Sequence, residues 1–289
     1  MTLEKPSPCK VNLLLNILGR RPDGFHELET VLYPVRLCDH LQIAPAPAGI
    51  QLTCSDPALP TDGTNLVHRA ASAFLARTGL REGVRIHLEK RIPLAAGLGG
   101  GSGNAAVTLM GLNELFGCPL TADELRALAA GLGSDVPFFL QSGPALARGR
   151  GEHVEPLDPF DCFRGLCFLL IHPGFGIATA WAYQQLARFP EALHGRAGRA
   201  EHLVRSLRGG SVRAASAEFY NSLEAPALEK YPVLALYQDF LRQHGAVAAL
   251  MSGSGSTTFA LFEDEVAARR TEEAMRARFG RVWTAVVAA

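Results

Sequence analysis

Between residues 9 and 18 the chain reads Cys-Lys-Val-Asn-Leu-Leu-Leu-Asn-Ile-Leu, with Val11, Leu13, Leu15 and Ile17 alternating with Lys10, Asn12 and Asn16. Alternation with a period of two predicts a strand whose apolar face builds a core while Lys10 and Asn12 stand together on the other face. A lysine on a strand is ordinarily a solvated edge charge, so alone it says little. Arg20-Arg21-Pro22-Asp23-Gly24 has turn chemistry and delivers Phe25 and His26, after which Glu27 to Val35 reads as a second strand. Leu66, Ala70, Ala73 and Phe74 fall on one helical stripe that Thr64 is placed to cap. Val84, Ile86 and Leu88 alternate with Arg85, His87 and Glu89, giving a half-exposed strand.

That strand leads into Pro93-Leu94-Ala95-Ala96-Gly97-Leu98-Gly99-Gly100-Gly101-Ser102-Gly103, followed by helical pattern from Asn104 to about Phe116. A glycine-rich turn that opens a helix leaves backbone N–H groups unpaired, lets a ligand approach closely, and adds the positive end of the helix dipole. The guest this favours is an anion, most often a phosphate. The loop has no Lys, which excludes a Walker A motif, and no glycine spacing in it matches a dinucleotide fingerprint. Thr121-Ala122-Asp123-Glu124 predicts a capping box and a short helix ending near Gly131. Next, Gly133-Ser134-Asp135-Val136-Pro137-Phe138-Phe139 sets a carboxylate in a tight turn beside apolar residues, a position suited to a proton acceptor or equally to a helix cap.

From Leu146 to Phe163 the pattern breaks into Arg, Gly and Pro, which predicts a boundary between a domain at 1–155 and another at 156–289. Beyond it the pattern predicts a strand at 166–172, helix at 179–207 and 225–243, strands at 246–251 and 257–262, helix at 264–279 and a strand at 282–287. This is the ferredoxin-like order. Ser252-Gly253-Ser254-Gly255-Ser256 joins the two central strands, either as a simple hairpin or as a second donor-rich loop.

Composition narrows the classes. Lys plus Arg and Asp plus Glu are 28 each in 289 residues, so overall charge calls for neither nucleic acid nor an anionic membrane. No apolar run reaches transmembrane length and the first residues lack a signal-peptide core, so a soluble cytoplasmic protein is expected. The six Cys never form a Cys-x-x-Cys pair and read as free thiols rather than disulfides or metal ligands.

The blocks Ser7-Pro8-Cys9-Lys10-Val11-Asn12, Arg21 to Leu28, Pro93 to Ala106, Gly133 to Phe139 and Met251 to Gly255 together resemble the GHMP small-molecule kinase superfamily, over nearly the whole chain. The Pro-Asp-Gly-aromatic-His block is similar to that of the members acting on a cytidine diphosphate-linked methylerythritol. The resemblance implies an α+β two-domain fold, with an N-terminal lobe like ribosomal protein S5 domain 2 and a ferredoxin-like C-terminal lobe. It implies phosphorylation of the C2 hydroxyl of that small-molecule acceptor with ATP and Mg²⁺, ATP being bound by Pro93 to Gly103. Carried over by position, Asp135 is the general base and Lys10 the charge that stabilises the forming alkoxide and γ-phosphate. Asn12, Phe25, His26, Tyr183, Gly253 and Ser254 bind the acceptor, Phe25 by stacking on cytosine and His26 by reading its edge. Metal ligands and oligomeric state are left unspecified. Ala95 stands where the family usually has Gly, and Gly103-Asn104 where it usually has Ser-Asp. A homoserine- or mevalonate-type kinase and a non-catalytic nucleotide-binding module are the alternatives; the base-stacking pair argues against the first, and the presence of both Lys10 and Asp135 against the second.

Overall fold

The strand read at residues 9–18 is the middle of an 18-residue strand, β1 (Leu3–Arg20), in a computed structural model that describes residues 2–289. After the turn comes a longer strand, β2 (His26–Ala46). By their contacts the residues form two compact units, one from Met1–Cys9, Leu37–Pro93 and Gly99–Ser142, the other from Lys10–Arg36, Leu94–Leu98 and Gly143–Ala289. The units are interleaved along the chain, because β1, β2 and the glycine loop each contribute to both, so they do not map onto a single break such as residue 155.

In the first unit β3 (Ile50–Cys54) runs parallel to β4 (Gly83–Glu89), and β4 runs antiparallel to residues 40–46 of β2. The alternation at Val84, Ile86 and Leu88 is realised, all three being fully buried. Helix α1 (Leu66–Thr78) packs on α2 (Gly100–Leu115) and α3 (Ala122–Leu132). Its stripe is buried at Val67, Ala70, Ala71 and Phe74. The cap of α1 is Asn65, whose side chain accepts from Val67 N at 2.8 Å, and not Thr64, whose hydroxyl donates to Asp62 Oδ1 at 2.6 Å. Asn and Thr are both competent caps, and only the turn around Asp62 decides between them. The capping box of α3 is present as read, with Thr121 and Glu124 each satisfying the other's backbone.

The helix after the glycine loop starts at Gly100, four residues earlier than its apolar pattern suggests. Crowding, rather than helix propensity, requires small residues there. A Cβ at Gly100 would meet the Ile92 side chain at 3.1 Å, and one at Gly103 would meet the Pro8 carbonyl oxygen at 2.7 Å.

Behind this helix end lies a buried polar cluster centred on Asp39. One carboxylate oxygen accepts from the backbone N–H groups of Arg91 (2.7 Å) and Ile92 (2.9 Å), while the other accepts from the Lys90 ammonium and from Asn104 Nδ2. Asn104 also donates to Ser7 Oγ at 3.0 Å. The cluster pins the chain between β4 and the loop, and it gives Asn104 a neutral amide that serves an anion and a cation at once.

In the second unit β5 (Ala145–Gly149) pairs antiparallel with residues 28–32 of β2 and with β6 (His153–Pro156). A separate four-stranded antiparallel sheet contains β7 (Cys167–His172), flanked on one side by β11 (Trp283–Ala288) and on the other by β10 (Thr258–Phe262), with β9 (Ala248–Met251) beyond β10. This is the ferredoxin-like arrangement that the element order predicts. The helical stretch 179–207 is broken into α4 (Thr179–Gln185), α5 (Pro190–Leu193) and α6 (Arg199–Arg208), followed by α7 (Val212–Ala215). The stretch 225–243 is α8 (Glu224–Lys230) and α9 (Val233–Gln243). Phe189 and Tyr231 each precede a proline and adopt ψ values of 74° and 72°, so the ring that follows drives them out of the helical region. Asp264 caps α10 (Glu265–Phe279) by accepting from Ala267 N at 2.7 Å. Leu15, Ile17, Leu169, Ile171, Met251, Phe262 and Met275 belong to one buried cluster in this unit.

Asp39→Ala leaves the Lys90 ammonium, whose side chain is 5% exposed, without its counter-ion. We expect urea denaturation to show a loss of about 3–5 kcal/mol, and a smaller loss in the Asp39→Ala/Lys90→Met double variant, where the stranded charge is also removed.

Candidate active site

Two halves of the glycine loop behave differently. From Gly99 onward the backbone enters α2: Gly99 is the N-cap with φ of 69°, and the first intrahelical bond runs from Gly103 N to Gly99 O at 2.9 Å. The N–H groups of Gly100, Gly101 and Ser102 precede that bond, which is the donor array an anion needs. Leu94–Leu98 instead packs in the other unit. There Gly97, with φ of 76°, lies so close to Ser252 that a Cβ would stand 2.0 Å from the Ser252 carbonyl oxygen. Ala95 has φ of 51°, a left-handed conformation in which a Cβ is strained and which glycine adopts without cost.

Lys10 and Asn12 are buried, at 3% and 4% exposure, and not at a solvated edge. Lys10 Nζ donates to Asn12 Oδ1 at 2.7 Å and to the Gly97 carbonyl at 2.8 Å, while its backbone N–H donates to Leu98 O at 2.9 Å. Asn12 is fixed in turn, its Nδ2 donating to Thr30 Oγ1 at 2.9 Å and the Thr30 hydroxyl to the Leu14 carbonyl. The second loop closes on the same carbonyl, because Ser252 Oγ donates to Gly97 O at 3.0 Å. Its tip, Gly253, has φ of 55°, and a Cβ there would come within 3.1 Å of Lys10 Nζ and 3.4 Å of Asn12 Oδ1. The Ser254 hydroxyl is 2.9 Å from that of Thr179. Thus Lys10, Asn12, Gly97 and Gly253 converge within one unit.

Phe25 and His26 follow a turn closed by Gly24 at φ of 86°, where the Arg21 N–H donates to Phe25 O at 2.8 Å. Phe25 is 51% exposed, and the Arg150 guanidinium lies over its ring at 4.6 Å from the centroid. His26 packs against Tyr183 with ring centroids 5.0 Å apart and planes tilted by 40°. Burial, and secondarily the charge of Arg20, hold the His26 imidazole below its ordinary pKa. At neutral pH the ring is therefore neutral, offering one donor and one acceptor to a ligand edge.

Asp135 lies in the other unit, half-buried in the turn that closes with Val136 N donating to Gly133 O at 3.1 Å. The 3-10 turn Pro137–Leu140 that follows packs on α2, and its N-cap residue is Val136. Val136, Phe138 and Phe139 are buried. Among the described residues no group of three or more His, Cys, Asp or Glu could hold a metal ion, and all six cysteines are unbridged. No helix among those residues is long and apolar enough to cross a membrane.

The profile of the GHMP kinases N terminal domain matches residues 65–143 and that of the GHMP kinases C terminal domain matches residues 200–281. A 4-diphosphocytidyl-2-C-methyl-D-erythritol kinase from Synechococcus sp. (strain JA-2-3B'a(2-13)) is 42% identical over 94% of this chain and 88% of its own length. The chain belongs to the 4-diphosphocytidyl-2-C-methyl-D-erythritol kinase family of GHMP kinases. A crystal structure of 4-(cytidine 5'-diphospho)-2C-methyl-D-erythritol kinase matches this GHMP kinase with a TM-score of 0.82 and 39% identity, covering 99% of this chain and all of that one. A homoserine kinase from Cytophaga hutchinsonii shares the fold, with a TM-score of 0.76 over 99% of this chain and 93% of its own at 21% identity. The family is one of ATP-dependent small-molecule kinases, which agrees with an anion cradle that lacks a Walker lysine.

Sequence reading passed over Thr30, Arg150, Thr179 and Asn221, each of which touches a residue it had named, directly or through the backbone. No motif marks them, since each is defined by what packs against it. For the loop itself, we expect Ala95→Gly to leave stability unchanged or raise it by up to about 1 kcal/mol, relief of the left-handed strain being offset by unfolded-chain entropy. Ala95→Val adds a branched side chain at positive φ and should destabilise by roughly 1–2 kcal/mol; thermal unfolding of the three proteins measures both.

Proposed function

We propose that this GHMP kinase transfers the γ-phosphoryl group of ATP to the C2 hydroxyl of 4-diphosphocytidyl-2-C-methyl-D-erythritol. The observation that supports this acceptor over a smaller one is the pair of rings after the Pro-Asp-Gly turn: an exposed Phe25 beside a neutral His26, a surface suited to a flat heterocycle and its hydrogen-bonding edge. Homoserine and mevalonate carry no such base.

In this reading the N–H groups at the start of α2 and the backbone of Pro93 to Gly103 hold the nucleotide's phosphates. Lys10, kept in one orientation by Asn12 and the Gly97 carbonyl, places a fixed positive charge where the alkoxide and transferring phosphoryl oxygens develop negative charge. Asp135 takes or orients the acceptor's hydroxyl proton. Phe25, with Arg150 covering one face, stacks the cytosine; His26 reads its edge, with Tyr183 behind that ring. Gly253 and Ser254 border the acceptor next to Lys10 and Asn12. Magnesium would arrive on the phosphate oxygens of ATP, a mode that needs few protein ligands and supplies charge neutralisation there. The reaction asks the protein for alignment and for charges already in place, both of which a buried, hydrogen-bonded lysine provides.

The test is ADP release by purified protein with Mg-ATP and a panel of acceptors. Turnover with the cytidine-linked acceptor and not with homoserine or mevalonate is the expected result; turnover with either of the latter would replace the reading, and nucleotide binding without any turnover would point to a non-catalytic module. Asp135→Asn should lower kcat by about 10²–10⁴-fold with ATP affinity retained. Phe25→Ala should raise the acceptor's KM by roughly tenfold and leave the KM for ATP unchanged, since stacking on a base contributes about 1–3 kcal/mol.

A further inference from the structure

The Ser252–Ser256 loop owes its shape to groups outside it. On one side of Ser252 and just beyond it, the carbonyl oxygens of Met251 and Gly253 both accept from a single amide, Asn221 Nδ2, at 2.7 and 2.8 Å. Both hydrogens of that amide are thereby used, and its oxygen accepts from Leu223 N at 2.9 Å. Asn221 is 2% exposed. The Met251 N–H donates to Glu224 Oε1 at 2.7 Å, which also accepts from Gln238 Nε2 at 2.6 Å. Burial raises the Glu224 carboxyl above its ordinary pKa.

Asn221 itself is tied to the strand that carries Lys10. The strand β8 (Tyr220–Asn221) is only two residues long and runs parallel to β1, with Asn221 opposite Leu15. Ser222 N donates to Leu15 O at 2.8 Å, and Ser222 Oγ accepts from Ile17 N at 3.0 Å. One strand therefore bears Lys10 and Asn12, and through Asn221 it also grips the loop whose tip stands against them. The loop has little slack, because Gly253 lies where a Cβ would press on the Lys10 amine, and Ser252 shares the Gly97 carbonyl with that amine.

We infer that Asn221 is a positioning residue for the transfer: by holding the Met251 and Gly253 carbonyls it fixes the Ser252–Ser256 loop, and hence the direction of the Lys10 ammonium. The inference rests on the kinase reading above. Asn221 touches neither substrate; it acts through the loop. Loss of its two donors frees the loop tip, and displacement of a reacting group by about 1 Å costs on the order of 100-fold in rate.

The experiment compares Asn221→Ala, Asn221→Asp and Ser222→Ala with wild type, measuring kcat and both KM values, thermal unfolding, and hydrogen exchange of the backbone from 249 to 258. Asn221→Asp keeps the shape and removes the donors, so it serves if the alanine variant does not fold. Ser222→Ala removes a bond from the same segment that does not reach the loop. The expected result is a kcat lowered about 10–100-fold in both Asn221 variants, with KM values within about threefold and faster exchange across the loop. Ser222→Ala should lower stability alone. The inference is overturned if kcat per folded molecule is unchanged in the Asn221 variants, if Ser222→Ala loses kcat equally, or if loop exchange does not change. Wild type that fails to turn over the cytidine-linked acceptor sinks the functional reading instead, and loop exchange, which needs no substrate, then decides on Asn221.

Discussion

A buried ammonium is the constraint around which β1 and the two glycine loops are arranged. Taking a lysine out of water is costly unless its donors find oxygen, and Lys10 finds the Asn12 amide and the Gly97 carbonyl. That carbonyl is reachable because Gly97 occupies a left-handed conformation and has no side chain to collide with Ser252. The second glycine loop then closes on the same oxygen through the Ser252 hydroxyl. Satisfying one charge thus brings β1, the first loop and the second loop into register. A cation with a single orientation is what a reaction limited by alignment and charge neutralisation requires.

The proposed phosphate side is built on a different principle. Its donors would be the first N–H groups of α2, which lie beside the Asp39 cluster, where one carboxylate bonds two backbone N–H groups, an ammonium and an amide. Asn104 fits this cluster as a neutral group: a carboxylate in its place would face Asp39 with like charge. Gly103 and Asn104 are accordingly matched to their surroundings, Gly103 by the closeness of the Pro8 carbonyl and Asn104 by the charge it complements. Ala95, by contrast, holds a left-handed backbone at φ of 51°.

Acceptor recognition, as proposed, uses rings instead of charges. The Arg150 guanidinium covers one face of Phe25, which limits the ring's motion and reserves the open face for a base. A neutral His26 backed by Tyr183 supplies a hydrogen-bonding edge that does not repel a cation or demand a counter-ion.

Much of this was legible in the sequence because it is governed by local rules. Alternation at residues 11–17 and 84–88, the capping box at Thr121 and Glu124, the glycine-rich helix start and the ferredoxin-like element order depend on periodicity and turn chemistry within a few residues. The family blocks named Lys10, Asn12 and the two glycine loops, four features that meet at the Gly97 carbonyl and the Gly253 tip. What the sequence did not contain was set by neighbours far along the chain. Whether Lys10 is an edge charge or a buried cation depends on Gly97, 87 residues away. Two local effects also overrode the reading by periodicity: Asn65 takes the cap of α1 over Thr64 because of a turn at Asp62, and two helical stretches break where proline excludes the residue before it from helix. The two-residue β8 has too few positions to show any period, so Asn221 gains its meaning only from the strand beside it and the carbonyls above it. Periodicity reports which face of an element is apolar; it carries no information about which distant oxygen will stand opposite a given nitrogen, and that pairing is decided by packing.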